Sequence, residues 1–145
     1  MFGALFVMQE AVARMGERGG SIVNVASLAG RRGVSPLGGY CATKFALVGL
    51  TEALRTELRD ERLHVALVEP GVVDTPMAER ATRDDSLRDV WPAGLYMPAS
   101  WVVWAIFAAV RFRLVEVSVP PGVGTLEKLA ALAPGAADEL VHWAM

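Results

Sequence analysis

Apolar residues recur at helical spacing over the first sixteen positions, where Leu5, Met8, Val12 and Met15 fall three or four apart and Gly19-Gly20 closes the segment. This pattern predicts a helix over 1–16. Residues 21–26 then read Ser-Ile-Val-Asn-Val-Ala, a β-branched run that suits a buried parallel strand. Residues 28–39 contain Gly30, Gly33, Pro36, Gly38 and Gly39 and predict a loop. From Tyr40 to Arg59 the spacing predicts a long helix, with Phe45, Leu47, Val48, Leu50, Leu54 and Leu58 spread over a broad apolar surface. Its far face carries Glu52, Arg55, Glu57 and Arg59.

A second strand is predicted over 64–68, ending at Glu69-Pro70-Gly71, with a loop over 72–76 and a charged helix over 77–90. Residues 91–98 form an apolar loop rich in breakers. Ser100 is the predicted cap of the next helix, which runs to about residue 110. A third strand is expected at 114–119, before Pro120-Pro121, and short helical pieces broken at Pro134-Gly135 complete the chain. There is no internal repeat and no low-complexity linker. Strands alternating with helices point to a parallel α/β sheet with helices on both faces.

Composition narrows the function classes. A chain of 145 residues makes one domain with a substantial core. Fourteen basic and sixteen acidic residues give a net charge of −2, with no basic cluster to bind nucleic acid. The apolar fraction is 53%, high for a free-standing domain, and implies apolar surface buried between subunits or a missing part of the fold. Cys41 is the sole cysteine, so no intrachain disulfide forms, and with only His64 and His142 beside it no metal constellation arises. The apolar start lacks a basic leader and is interrupted by Gln9-Glu10, and the run 101–110 is too short to span a bilayer. The expectation is a cytoplasmic protein without metal, membrane or nucleic-acid partners.

Ligands of parallel sheets lie outside the carboxyl ends of the strands. Ser27 follows the first strand, Pro70 to Thr75 follow the second, and Tyr40 and Lys44 open the connecting helix. Residues four apart on a helix share one face. A phenol is a poor acid at neutral pH, and a fixed cation beside it favours the phenolate needed for proton exchange with an alcohol or ketone. Tyr-x-x-x-Lys alone also fits an ordinary surface helix. No Gly-x-Ser-x-Gly elbow surrounds Ser27, which argues against a hydrolase nucleophile. Cys41 reads as a small packing residue; His64 caps or packs the second strand.

The segments Ile22-Val23-Asn24-Val25-Ala26-Ser27, Tyr40-Cys41-Ala42-Thr43-Lys44 and Glu69-Pro70-Gly71-Val72-Val73-Asp74-Thr75-Pro76-Met77 stand in the order and spacing of the short-chain dehydrogenase/reductase family. The chain resembles that family most over 1–77 and more loosely over 98–119, with 98–145 as a C-terminal extension. The resemblance implies an NAD(P)-dependent oxidoreductase that interconverts an alcohol and a ketone or aldehyde. It implies Tyr40 as general acid/base, Lys44 as its assistant and ribose ligand, and Ser27 as the residue that positions the carbonyl. The offset of thirteen residues to Tyr40 favours Ser27 over the competing hydroxyl of Ser35. Pro70, Gly71, Val73 and Thr75 match the loop that holds the nicotinamide, with the Val73 backbone at the carboxamide.

The resemblance also defines what is not found. The family's glycine-rich turn for the pyrophosphate has no counterpart, and its catalytic asparagine would fall one residue before Met1. The expectation is therefore a single incomplete domain over 1–145: a partial doubly wound, Rossmann-like parallel sheet of about three strands with flanking helices. Such a chain alone would bind NAD or NADP poorly, and it carries no determinant choosing between them. Three accounts follow: the later part of an oxidoreductase, an inactive remnant that dimerises or binds a partner, or one half of a split enzyme. Family oligomers imply self-association through helices 1–16 and 40–59. Met77, Trp91, Leu95, Tyr96 and Met97 suggest a lid over an apolar substrate, although a buried helix of that composition fits equally well.

Overall fold

The computed structural model of the chain describes residues 1–59, 62–82 and 96–144. Helix α1 (Phe2–Met15) leads to strand β1 (Gly20–Val25), and a 3-10 turn (Leu28–Gly30) separates β1 from α2 (Gly38–Glu57). Strand β2 (Leu63–Pro70) is followed by α3 (Pro76–Thr82), α4 (Ala99–Arg111), β3 (Glu116–Val119), α5 (Val123–Ala130) and α6 (Pro134–Ala144). The three strands form one parallel sheet in the order β1-β2-β3. Gly20 pairs with Leu63 and Val25 with Val68 on one side of β2; Leu67 pairs with Glu116 and Pro70 with Val119 on the other. Central β2 is buried along its whole length, which is why it reads as a continuous apolar run rather than an alternating one.

Side chains alternate across the sheet. Ala66 and Val68 face α4, where they pack with Met97, Ala105, Ala109 and Val119. Leu67 faces the other way, into a cluster with Ala26 and Val48 of α2. On this second face Asn24 donates to Thr51 Oγ1 of α2 at 2.9 Å and to Met8 Sδ of α1 at 3.0 Å, which ties both helices to β1. The expected partial doubly wound sheet with helices on both faces is the observed fold.

Several boundaries differ from the sequence expectations. Helix α2 begins at Gly38, so Gly38 and Gly39 form its first turn instead of extending the loop. Pro98, extended at φ −61° and ψ 141°, holds the cap position of α4 and puts Ser100 inside the first turn; Ser100 is therefore not the cap. Pro134 opens α6 as its first residue, a position where its missing N–H costs nothing. Strand β3 starts two residues after the predicted 114. Of the predicted 77–90 helix, α3 covers the part up to Thr82, and the remainder lies outside the described residues, as do Trp91 and Leu95 of the expected lid. Met97 is buried in the core and its backbone bridges Val73 in parallel fashion. His64 is buried, with Nε2 3.1 Å from the Ala109 carbonyl and 3.2 Å from that of Leu114. It fastens the start of β2 to the end of α4. Cys41 is buried as a packing residue, its sulfur accepting from Val34 N–H at 3.3 Å.

Candidate active site at the carboxyl ends of the strands

The two longest strands stop side by side, and the chain leaves each through a turn that the other supports. Ser27, in extended conformation, caps the 3-10 turn: its Oγ accepts from Ala29 N–H at 3.2 Å. The same hydroxyl donates to the Pro70 carbonyl at the end of β2, 3.3 Å away. Next to it, Gly71 N–H donates to Val119 O at 2.8 Å, continuing the sheet by one bond. A Cβ on Gly71 would lie 3.2 Å from Met97 Cε and 3.4 Å from Leu28 Cδ1, so this junction has little room for a side chain.

Helix α2 reaches the same edge. The 3-10 turn packs so closely on α2 that a Cβ at Gly30 would stand 3.0 Å from the Lys44 carbonyl and 3.1 Å from Val48 Cγ2. One helical turn separates Tyr40 and Lys44, and the Lys44 ammonium lies 5.7 Å from the centre of the Tyr40 ring. Lys44 Nζ donates to the Val25 carbonyl, the last of β1, at 3.1 Å. Burial of the half-covered ammonium pushes its pKa below the ordinary lysine value, because the charged form loses hydration. The Tyr40 hydroxyl has no hydrogen-bond partner among the described residues.

The segment after β2 presents a backbone group. The Val73–Met97 bridge runs through Met97 N–H to Val72 O and Asp74 N–H to Met97 O, both 2.9 Å. Thr75 Oγ1 donates to Val73 O and accepts from Ala78 N–H, each at 3.3 Å, so it anchors the start of α3. Val73 N–H is left without a partner among the described residues. Ser27 bonds Pro70 directly, Gly71 follows Pro70 in the chain, and Lys44 reaches the end of β1 through Val25 O. Tyr40 adjoins through Lys44, while Val73 and Thr75 lie on the loop leaving β2.

One feature of the site is not visible in the sequence pattern. Arg31, four residues after Ser27, donates from Nε to Glu69 at 2.6 Å and from Nη1 to Glu52 at 2.9 Å, and its Nη2 lies 3.1 Å from Glu116 Oε2. Lys128 of α5 pairs with Glu116 from the other side. Burial pushes the Glu69 carboxyl above the ordinary glutamate range despite the opposing pull of Arg31. Burial acts upward on Glu116 too, but Lys128 and Arg31 hold it below that range. The one available signal is a carboxylate in an otherwise apolar, fully buried strand, which demands a cation.

Comparison with known proteins bears on the family and the fold. The family model described as short chain dehydrogenase matches residues 1–86. A sorbitol dehydrogenase of Cereibacter sphaeroides is 51% identical over 75 residues, covering 50% of this chain and 29% of that protein. An uncharacterized oxidoreductase of Bacillus subtilis is 33% identical and covers 97% of this chain and 41% of its own length. The structure of a short chain dehydrogenase from Burkholderia cenocepacia in complex with NADP superposes with a TM-score of 0.74 at 28% identity, over 94% of this chain and 54% of that one. A short-chain dehydrogenase from Sphingobium yanoikuyae in complex with NADPH, 24% identical, shares the fold with a TM-score of 0.73. The chain thus spans about half the length, or less, of the relatives it matches.

Proposed function

The chain belongs to the short-chain dehydrogenase family, and from that membership we propose that it is an NAD(P)-dependent oxidoreductase interconverting an alcohol and a ketone or aldehyde. The observation that carries the reading is the Tyr40–Lys44 pair: a ring whose hydroxyl is unpaired among the described residues, with a desolvated ammonium 5.7 Å from its centre. Tyr40 exchanges the proton with the substrate oxygen. The Lys44 charge stabilises the negative charge that develops on the phenol oxygen during that transfer. Lys44 Nζ, anchored on Val25 O, keeps two further N–H directions for the nicotinamide ribose.

Ser27 is assigned to the substrate oxygen: it would donate to a carbonyl by giving up its 3.3 Å bond to Pro70 O, or accept from an alcohol hydroxyl with a lone pair. Pro70, Gly71, Val73 and Thr75 shape the nicotinamide loop, Val73 N–H serving the carboxamide. The cofactor, when bound, supplies the hydride chemistry. The similar short chain dehydrogenase solved in complex with NADP supports a nicotinamide cofactor without choosing between NAD and NADP here. The substrate belongs to the small alcohol/carbonyl class.

A second reading rests on a different observation. Phe2, Phe6 and Val7 of α1 are 64%, 64% and 69% exposed, and Phe45 of α2 is also exposed. Such faces support self-association through α1 and α2, with the chain acting as a binding protein whether or not it turns over substrate. Steady-state assays of the chain with NADH and NADPH against a panel of small apolar ketones separate the two. Cofactor-dependent reduction supports the first reading. A stable oligomer that neither binds cofactor nor reduces any ketone overturns the first and leaves the second.

A further inference from the structure

Two side chains tie the turn after β1 to the end of β2: Ser27 bonds the Pro70 carbonyl, and Arg31 bonds Glu69, one residue earlier in β2. Between Ser27 and Arg31 the backbone is itself closed, since Gly30 N–H donates to Ser27 O and Arg31 N–H to Leu28 O, both at 2.9 Å. Ser27, Pro70, Glu69 and Arg31 therefore form a ring of covalent and hydrogen-bonded links. We propose that Arg31 is a positioning residue, which through Glu69, Glu52 and Glu116 clamps the serine turn to the nicotinamide loop so that Ser27 and Gly71 hold one fixed spacing. The proposal rests on the oxidoreductase reading for its catalytic consequence, and on the geometry alone for the clamp.

Three observations support it. The guanidinium donates through Nε to Glu69 on β2 and through Nη1 to Glu52 on α2, while Nη2 lies 3.1 Å from Glu116 of β3 as an ion pair without a hydrogen bond, an arrangement that suits a rigid fork. Glu69 has no exposed surface, and apolar residues would fill a buried strand position at lower desolvation cost, so a charged pair here supplies geometry more than stability. Finally, Gly124 of α5 lets the carboxylate pack tightly: a Cβ there would lie 3.3 Å from Glu69 Oε2 and 3.0 Å from Ser118 Cβ. The carboxylate is thus bonded by Arg31 at Oε1 and packed against α5 at Oε2, where it has no hydrogen-bond partner among the described residues.

The test is amide hydrogen exchange on the intact chain for the wild type, Arg31→Lys, and the charge-free pair Arg31→Met with Glu69→Gln, which leaves neither member of the Arg31–Glu69 pair charged. In the double variant, exchange at Ala29, Gly30 and Gly71 should rise together by about tenfold or more, with Val65 and Ala66 in mid-strand staying within about twofold. Arg31→Lys, which keeps the charge without the fork, should give intermediate protection at both loops. If wild-type turnover is detected, the double variant should lower kcat while the cofactor KM stays within about twofold. Faster exchange at Ala29 and Gly30 with Gly71 unchanged, or no change at either loop, overturns the clamp. Coupled exchange with an unchanged kcat overturns its role in positioning. A wild type without turnover counts against the oxidoreductase reading, and the exchange data still decide the clamp.

Discussion

The Ser27 hydroxyl crosses from the end of one strand to the Pro70 carbonyl at the end of the next, a separation of 3.3 Å that joins two segments 43 positions apart in the chain. It also accepts from Ala29 N–H, so one side chain both caps a turn and bridges two loops. Ser27→Ala removes both bonds and leaves Ala29 N–H to find another partner. Replacement should lower unfolding free energy by about 0.5–1.5 kcal/mol in denaturant titration, with a larger fall in kcat than in cofactor affinity. An unchanged kcat in the Ser27→Ala variant would remove Ser27 from the site.

Lys44 links the helix to the sheet under a desolvation penalty. Its folded pKa lies below its unfolded value, so the folded state binds fewer protons between the two, and stability rises with pH across that interval. Lys44→Met abolishes this slope. Relative to Lys44→Met, the wild type should gain thermal stability as pH rises toward the ordinary lysine value of 10.5, while the variant loses cofactor affinity and turnover. A wild type that falls relative to the variant over that interval would contradict the assignment.

Close approach at Gly30 sets the distance between the serine turn and α2. A methyl group there would stand 3.0 Å from the Lys44 carbonyl, and backbone cannot yield as a flexible side chain does. Gly30→Ala should cost about 1–3 kcal/mol in urea titration, by an overpacking mechanism. Gly33→Ala, where no atom lies within 4 Å of the new methyl, should leave the urea midpoint close to that of the wild type. Equal midpoints for Gly30→Ala and the wild type would mean that the two elements are not packed as described.

The strands and their parallel sheet are legible in the sequence because their signals are local. Runs such as 21–26 and 64–68 are β-branched or apolar, and Tyr40 and Lys44 lie within one helical turn of each other. The site at the strand ends follows from topology, since the strands and their connecting helix must deliver Ser27, Tyr40 and Pro70 to the same edge. Arg31 is not legible: its partners Glu52, Glu69 and Glu116 sit on three separate elements, and only the packed sheet brings them together. The start of α2 lies earlier than the pattern predicts because Gly38 and Gly39 read as breakers, yet both stand, exposed, in the helix's first turn. Ser100 fails as a cap because a proline two residues earlier already ends the extended segment.

Glu69 gives the ion network a distinctive pH response. Its folded pKa is raised, so the stability it contributes is fully present below the unfolded value of 4.5 and is lost as pH rises through the folded one. Glu116 works the other way: its depressed pKa contributes stability above the unfolded value, lost as pH falls. Thermal unfolding from pH 4.5 upward should therefore show the wild type losing stability relative to Glu69→Gln, with Arg31, Glu52, Glu116 and Lys128 unchanged in both. A wild type that gains on the variant across that range would show that Arg31, not burial, dominates the carboxyl.

The central claim is that Tyr40 carries the proton in a nicotinamide-dependent reaction. Its most direct test compares wild type and Tyr40→Phe side by side, measuring ketone reduction with NADH or NADPH and, separately, cofactor binding by nicotinamide fluorescence. Loss of the single hydroxyl should reduce turnover by about a hundredfold to ten-thousandfold, with cofactor affinity within about twofold of wild type. Wild-type turnover by Tyr40→Phe would contradict the account.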